Sequence, residues 1–123
     1  MDSMRNNYDV FFYDLKDGTY PAKDFIDSQP TKMKSKLDKM VSLLREYGPD
    51  LRLPYSEFLE DGIFQIRASY GSDISRVLYF FVVGKRIVLT NGFVKKTQKT
   101  PYSEIAKAKR FRDEFLSRAN QEG

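Results

Sequence analysis

The segment that decides the fold lies in the middle of the chain and reads IFQIRASYGSDISRVLYFFVVGKRIVLTN over residues 63–91. Its first part alternates polar and apolar residues, which is the two-residue period of a half-buried strand. Residues 76–83 are almost entirely apolar, which indicates a central strand of the sheet. The polar breaks at residues 70–73 and 84–85 have the composition of hairpin turns. Three successive antiparallel strands are therefore predicted.

The flanking sequence predicts one further strand and three helices. Residues 8–13 are rich in aromatic and β-branched side chains, which favour a strand. A short helix is predicted over residues 21–29, and a longer one ends at Gly48-Pro49. Thr100 is the expected N-cap of the last helix, with Pro101 as its first residue. The apolar stripes of the two longer helices are Met33, Leu37, Met40, Val41, Leu44 and Tyr47, then Ile105, Ala108, Phe111 and Phe115.

These elements predict an α+β fold in one domain spanning residues 1–123. The order is β-α-α-β-β-β-α, with helices packed against a small antiparallel sheet. A chain of 123 residues has room for one hydrophobic core and little more.

Composition excludes several classes of function. The chain has no cysteine and no histidine, which excludes thiolate chemistry and makes a zinc or iron site improbable, so no metal or cofactor is expected. Proton transfer would have to use Lys, Tyr, Asp or Glu. The longest apolar run, residues 77–83, is too short to span a bilayer, and the N-terminal residues lack an apolar signal region. We therefore expect a cytoplasmic protein with no membrane partner.

Charge is distributed unevenly along the chain. Residues 1–63 carry nine Lys/Arg and twelve Asp/Glu, whereas residues 64–123 carry twelve and five, so the two parts have net charges of −3 and +7. Such asymmetry within one small domain indicates a positive face, for which a polyanion is a common partner. A solvated basic surface is the alternative explanation.

Basic residues from several elements are expected to meet at one end of the sheet. Arg67 and Arg76 lie on neighbouring predicted strands across one turn, so their side chains can approach each other. Gln65 shares a strand face with Arg67. The loop after the last strand and the start of the final helix add Lys95, Lys96, Lys99 and Tyr102.

Such a site suits RNA. Arginine grips phosphate, lysine neutralises the backbone, and tyrosine stacks on an unpaired base. Metal-free cleavage would use the RNA 2′-hydroxyl as nucleophile, with the arginines stabilising the charge that develops on the phosphate. The base is either a lysine whose pKa is depressed by neighbouring cations or Tyr102.

Each group also has a structural explanation. Arg76 could form an ion pair with Asp73 or Glu57, and the loop lysines could be solvated. The acidic residues Glu57, Glu60 and Asp61 could suggest paired carboxylates for hydrolysis, but no second cluster or metal-ligand spacing accompanies them.

Three motifs resemble the RelE/ParE toxin superfamily, in its phage-derived Gp49-like, HigB branch. They are LEDGIFQIR (residues 59–67), SRVLYF (75–80) and NGFVKKTQKTP (91–101). The resemblance extends from Tyr8 to Leu116 and implies a RelE-like fold. It also implies a toxin of a type II toxin–antitoxin pair, a ribosome-dependent endoribonuclease that cuts mRNA in the ribosomal A site.

The resemblance also implies partners and residue roles. The antitoxin would be a helix-turn-helix, HigA-like protein, typically in a heterotetramer with the toxin. Arg76 matches the family's strand arginine, Lys96 its basic loop residue and Tyr102 its functional tyrosine. The expected catalytic set is Arg67, Arg76, Lys96 and Tyr102, and the expected RNA-binding set is Gln65, Lys95 and Lys99.

Two other functions remain compatible with the sequence. One is a ParE-like toxin that inhibits gyrase by binding it, although that mode needs no convergent phosphate site. The other is a non-catalytic binding module that keeps only the antitoxin-facing surface. The sequence departs from some HigB relatives in having no histidine, and Gln65 is neutral where relatives often carry a charge.

Overall fold

Five strands and three α-helices make up the part of the chain that the computed structural model describes, residues 7–95 and 99–122. They are β1 (Asp9–Phe12), α1 (Pro21–Ser28), α2 (Thr31–Tyr47), β2 (Ser56–Glu60), β3 (Ile63–Tyr70), β4 (Asp73–Val82), β5 (Arg86–Lys95) and α3 (Tyr102–Glu122). A single 3₁₀ turn, Gly48–Asp50, follows α2. The α+β class is confirmed.

The sheet is mixed rather than purely antiparallel, which corrects the sequence-based prediction. Its strand order is β1-β5-β4-β3-β2, with β1 parallel to β5 and every other pair antiparallel. The sequence-based prediction did not include the strand β2. Successive hairpins fix the direction of β5, and this direction is the same as that of β1.

Helices cover both faces of the sheet and create two apolar clusters. The helices α1 and α2 pack on one face, over side chains such as Ile66, Val77 and Leu89. The helix α3 packs on the other face, over Leu78 and Phe80 among others. The predicted apolar stripes of α2 and α3 are confirmed except at Tyr47, which is 46% exposed. No helix within the described ranges is both long enough and apolar enough to cross a bilayer.

The end of α2 depends on a glycine. Gly48 has φ +52°, and its N–H donates to the carbonyl of Leu44, which closes the last turn of the helix. A Cβ at this position would lie 2.4 Å from the ring of Tyr8. Glycine therefore satisfies two requirements here, a left-handed backbone and a close contact with the chain that leads into β1.

We expect Tyr79→Phe to make stability less sensitive to alkaline pH. Tyr79 is buried, and burial raises its pKa to about 12, while its hydrogen bond with the Ser56 hydroxyl acts in the opposite direction. A raised phenol pKa favours the neutral side chain in the folded state. The stability that Tyr79 contributes in this way is complete below about pH 10, which is the pKa of tyrosine in the unfolded chain. It is lost as the pH rises towards 12.

The measurement is urea unfolding of the wild type and Tyr79→Phe at pH 8 and pH 11. Between these pH values the wild type should lose roughly 1 kcal/mol more stability than the variant, because Tyr79 is neutral in the folded protein and ionised in the unfolded chain. The same pH dependence in both proteins would contradict the assignment.

Candidate nucleic-acid interface

One row of side chains crosses the three central strands. Arg67 in β3 is directly opposite Arg76 in β4, and Arg76 is directly opposite Phe93 in β5. Directly opposed residues on antiparallel strands point to the same face of a sheet. Because Phe93 packs with the apolar cluster under α3, both arginines lie on the α3 side. The predicted meeting of Arg67 and Arg76 is present.

Arg76 is buried completely. Its guanidinium carbon lies 5.8 Å from the centre of the Phe93 ring, within the range of a cation–π contact. Burial and the positive charge of Arg67 lower the pKa of Arg76, while Glu57 acts in the opposite direction. Arginine nevertheless stays charged in proteins. The row thus contains a positive charge beneath the surface, and in this conformation Arg76 cannot make the direct phosphate contact expected from the sequence.

Arg67 is the accessible member of the pair. Its side chain is 22% exposed, and Nη1 lies 3.8 Å from Oε1 of Glu57 in the edge strand β2. Two guanidinium groups side by side repel each other, and a nearby carboxylate reduces this repulsion. Arg67 can therefore present donors to an anion above the buried charge of Arg76.

Gln65 lies in the same part of the sheet but below the surface. Its Nε2 donates to Oε1 of Glu57 at 3.0 Å, and its Oε1 accepts a hydrogen bond of 2.6 Å from the Thr100 hydroxyl. Both ends of the amide are satisfied by the protein, and Gln65 is 1% exposed. The expected contact of Gln65 with RNA therefore has no accessible surface in this conformation. The Thr100 hydroxyl therefore bonds a side chain of β3. The prediction that Thr100 is the N-cap of the last helix is wrong, since α3 begins at Tyr102.

Two of the predicted lysines, Lys95 and Lys99, belong to the described residues and lie on the protein surface. Lys95 lies two residues after Phe93 in β5, so it shares the face of the sheet with it, and it is exposed. Lys99 is also exposed. Lys96, expected to be catalytic, lies outside the described residues.

Tyr102 occupies the first turn of α3 and is 63% exposed. Its ring centre lies 5.5 Å from the ammonium of Lys109, which is ion-paired with Glu60. Tyr102 is therefore on the side of α3 that faces the β2–β3 turn, and its ring is accessible for stacking.

The acidic residues near the site have partners within the chain. Glu60 pairs with Lys109, and Asp61 pairs with Arg112 at 3.1 Å, which holds α3 against the β2–β3 turn. In residues 7–95 and 99–122, no group of three or more acidic side chains is arranged to hold a metal ion.

Phe93 and Thr100 had no predicted role in the site, and Glu57 was predicted only as an ion-pair partner or a member of an acidic cluster. Glu57 lies opposite Gln65 because β2 pairs with β3 in that register, and the short segment Ser56–Glu60 has no regular alternation that would have predicted it. Phe93 lies in the part of β5 beyond Asn91, where the aromatic and β-branched pair Phe93-Val94 was a signal that the strand continues.

Comparison with known protein families identifies a match over most of the chain. Residues 24–113 match the family described as phage derived protein Gp49-like (DUF891). The chain belongs to this family. The Gp49-like family is associated with toxin–antitoxin systems, and membership indicates a toxin-type protein with an antitoxin partner. No curated protein sequence matches the chain.

The Gp49-like region contains the whole candidate site. It begins in α1 and ends in the middle of α3, so it includes Glu57, Arg67, Arg76 and Phe93 and the loop before α3. The strand β1 and the last turns of α3 lie outside it.

Proposed function

We propose that the protein is a RelE/HigB-type toxin, a ribosome-dependent endoribonuclease that cuts mRNA in the ribosomal A site. The observation that carries this proposal is the pairing of accessible Arg67 with fully buried Arg76 on one face of the sheet. Taking a cation out of water is costly, and placing a second one beside it adds repulsion. A scissile phosphate at Arg67 would offset that repulsion and benefit from both charges.

The chemistry needs no metal in this proposal. The RNA 2′-hydroxyl attacks the neighbouring phosphorus, and the bond to the 5′-oxygen breaks. Arg67 donates to the phosphate oxygens, and the field of Arg76 stabilises the charge that develops there. Lys95 and Lys99 neutralise flanking phosphates, and Tyr102 stacks on an unpaired base. Lys96 and Tyr102 are candidates for proton transfer to the leaving oxygen.

The biological setting follows from the same proposal. The toxin acts in the cytoplasm, on messages that ribosomes are translating. Its neutralising partner is a helix-turn-helix antitoxin of the HigA type, with which it forms a heterotetramer. The family membership supports an antitoxin partner, and the basic surface supports RNA as the target.

The test is controlled expression in cells, with mapping of mRNA 5′ ends. We expect the wild type to generate new ends within reading frames, and a reporter without its start codon to stay intact. Arg67→Ala should reduce cleavage about 10²- to 10³-fold, the usual cost of losing one donor to a transition-state oxyanion. Arg110→Ala, which removes an exposed charge from α3, is the matched control and should cleave as the wild type does.

Two other results would replace the proposal. Growth arrest with intact mRNA and broken or relaxed DNA would identify a gyrase inhibitor. No toxicity and no cleavage in the absence of antitoxin would identify a non-catalytic binding module.

A further inference from the structure

The Glu57 carboxylate lies directly beside Arg67. Oε1 of Glu57 accepts a hydrogen bond from Gln65 Nε2 at 3.0 Å and lies 3.8 Å from Arg67 Nη1. The Glu57 side chain is 40% exposed, so a ligand can reach it from solvent. The site therefore offers a proton acceptor next to the cations that would hold a phosphate.

Two buried side chains fix the orientation of this carboxylate. A carboxylate can only accept hydrogen bonds, so Gln65 must turn its NH₂ group towards Glu57 and its oxygen towards Thr100. The Thr100 hydroxyl then donates to that oxygen at 2.6 Å. Because Gln65 and Thr100 are 1% and 7% exposed, this chain of hydrogen bonds is held by the core and the start of the α3 segment.

The other carboxylates near this end of the sheet are used differently. Glu60 is bound by Lys109 and Asp61 by Arg112, on the side of the β2–β3 turn. Glu104 accepts a hydrogen bond of 3.0 Å from Asn91 Nδ2. Among the described residues, Glu57 is the carboxylate within ion-pair distance of Arg67, and it is held in place through Gln65 and Thr100.

We propose that Glu57 is the general base of the cleavage reaction and that Gln65 and Thr100 are its positioning residues. This inference rests on the proposed ribonuclease function. A glutamate is already ionised at neutral pH, whereas lysine or tyrosine must first lose a proton before acting as a base.

The Glu57 carboxylate takes the proton of the 2′-hydroxyl while O2′ forms a bond to phosphorus. The bond from phosphorus to O5′ breaks, and O5′ takes a proton from the general acid or from water. The products are a 2′,3′-cyclic phosphate and a 5′-hydroxyl end, and Glu57 returns its proton to solvent.

The experiment is single-turnover cleavage of mRNA bound in the A site of purified ribosomes, from about pH 6 to pH 9. The wild-type rate should change little across this range, which lies above the pH at which carboxylates in general lose their proton. Glu57→Gln should be about 10²- to 10⁴-fold slower, the usual contribution of a positioned base, and its rate should rise about tenfold per pH unit, because hydroxide replaces the lost base. Glu60→Gln is the matched control and should keep both the rate and the flat profile.

A second pair of variants tests the positioning residues. Thr100→Val should lower the cleavage rate with an unchanged, flat pH profile, because the base is still present but less well oriented. Thr100→Ser, which keeps the hydroxyl, should restore most of the rate. Equal rates for Thr100→Val and the wild type would overturn the role given to Thr100.

The outcomes separate this inference from the proposed function. A wild type that cuts no ribosome-bound mRNA would overturn the ribonuclease proposal itself. A wild type that cuts, together with a Glu57→Gln variant of equal rate or equally flat pH profile, would overturn only the role of Glu57. Should Glu57→Gln fail to fold, Glu57→Asp decides: about tenfold slower cleavage with a flat profile supports the base, and an unchanged rate overturns it.

Discussion

Replacing Arg76 with methionine is expected to slow RNA cleavage about 10- to 100-fold while the protein remains folded. Arg76 has no exposed surface, so its effect on a phosphate at Arg67 is through its electric field. A unit charge about 7 Å from another, at an effective dielectric constant of about 20, contributes about 2 kcal/mol. This energy corresponds to a rate factor of about 30. The readout is single-turnover cleavage of ribosome-bound mRNA.

Because a buried cation is costly, the same substitution is expected to leave the protein folded, with a free energy of unfolding within about 3 kcal/mol of the wild type. Methionine is flexible and apolar, and it can pack against Phe93 where the arginine does now. The change also removes the repulsion from Arg67, while Glu57 keeps Arg67 as its ion-pair partner. A variant with slower cleavage and equal or greater stability would identify Arg76 as a charge retained for function.

Arg110→Met is the control for this experiment. It removes the same charge and adds the same side chain at an exposed position of α3, so cleavage should be unchanged. A strong loss of stability in Arg76→Met would contradict the prediction and assign Arg76 a structural role. Wild-type cleavage by a stable Arg76→Met protein would show that the buried charge does not act on the phosphate.

The sequence predicted those elements whose signals are local. The strands β3, β4 and β5 follow from alternation, an apolar run and two turns, all within residues 63–91. The strand β2 has only five residues, and its register with β3 shifts between Phe58 and Glu60, so its pattern is short and irregular. The parallel pairing of β1 with β5 joins the first and last strands of the sheet, and no local pattern specifies it.

The difference between local signals and contacts between distant segments also applies to the candidate site. The pairing of Arg67 with Arg76 could be predicted, because one hairpin turn separates them and fixes their register. The contact between Thr100 and Gln65 joins residues 35 positions apart and depends on how the loop before α3 packs. The sequence therefore identified the cations of the site but not the hydrogen bonds that position Glu57.

Replacing Gly92 with alanine is expected to cost about 1–3 kcal/mol of unfolding free energy, and so to lower Tm by roughly 4–12 °C. A Cβ at Gly92 would lie 2.4 Å from Cδ2 of Phe25 in α1 and 3.0 Å from the carbonyl oxygen of Arg76. The first contact is far closer than van der Waals distance. To admit a methyl group, the Phe25 ring must turn or α1 must move away from β5, and either change disturbs the packing of Phe25 against its apolar cluster. Thermal unfolding followed by circular dichroism measures the effect.

A double-mutant cycle with Phe25→Ala separates the two contacts. Phe25→Ala alone should destabilise the protein, because Phe25 packs against the core. In the Gly92→Ala background, Phe25→Ala should cost about 1 kcal/mol less, since removing the Phe25 ring also removes its clash with the new methyl group. Rescue should be partial, because the contact with the Arg76 carbonyl is with backbone and no change at Phe25 relieves it. Additive effects of the two substitutions would show that the ring does not limit the space at Gly92. In that case the close approach of α1 to β5 would not be the reason that glycine stands between Asn91 and Phe93.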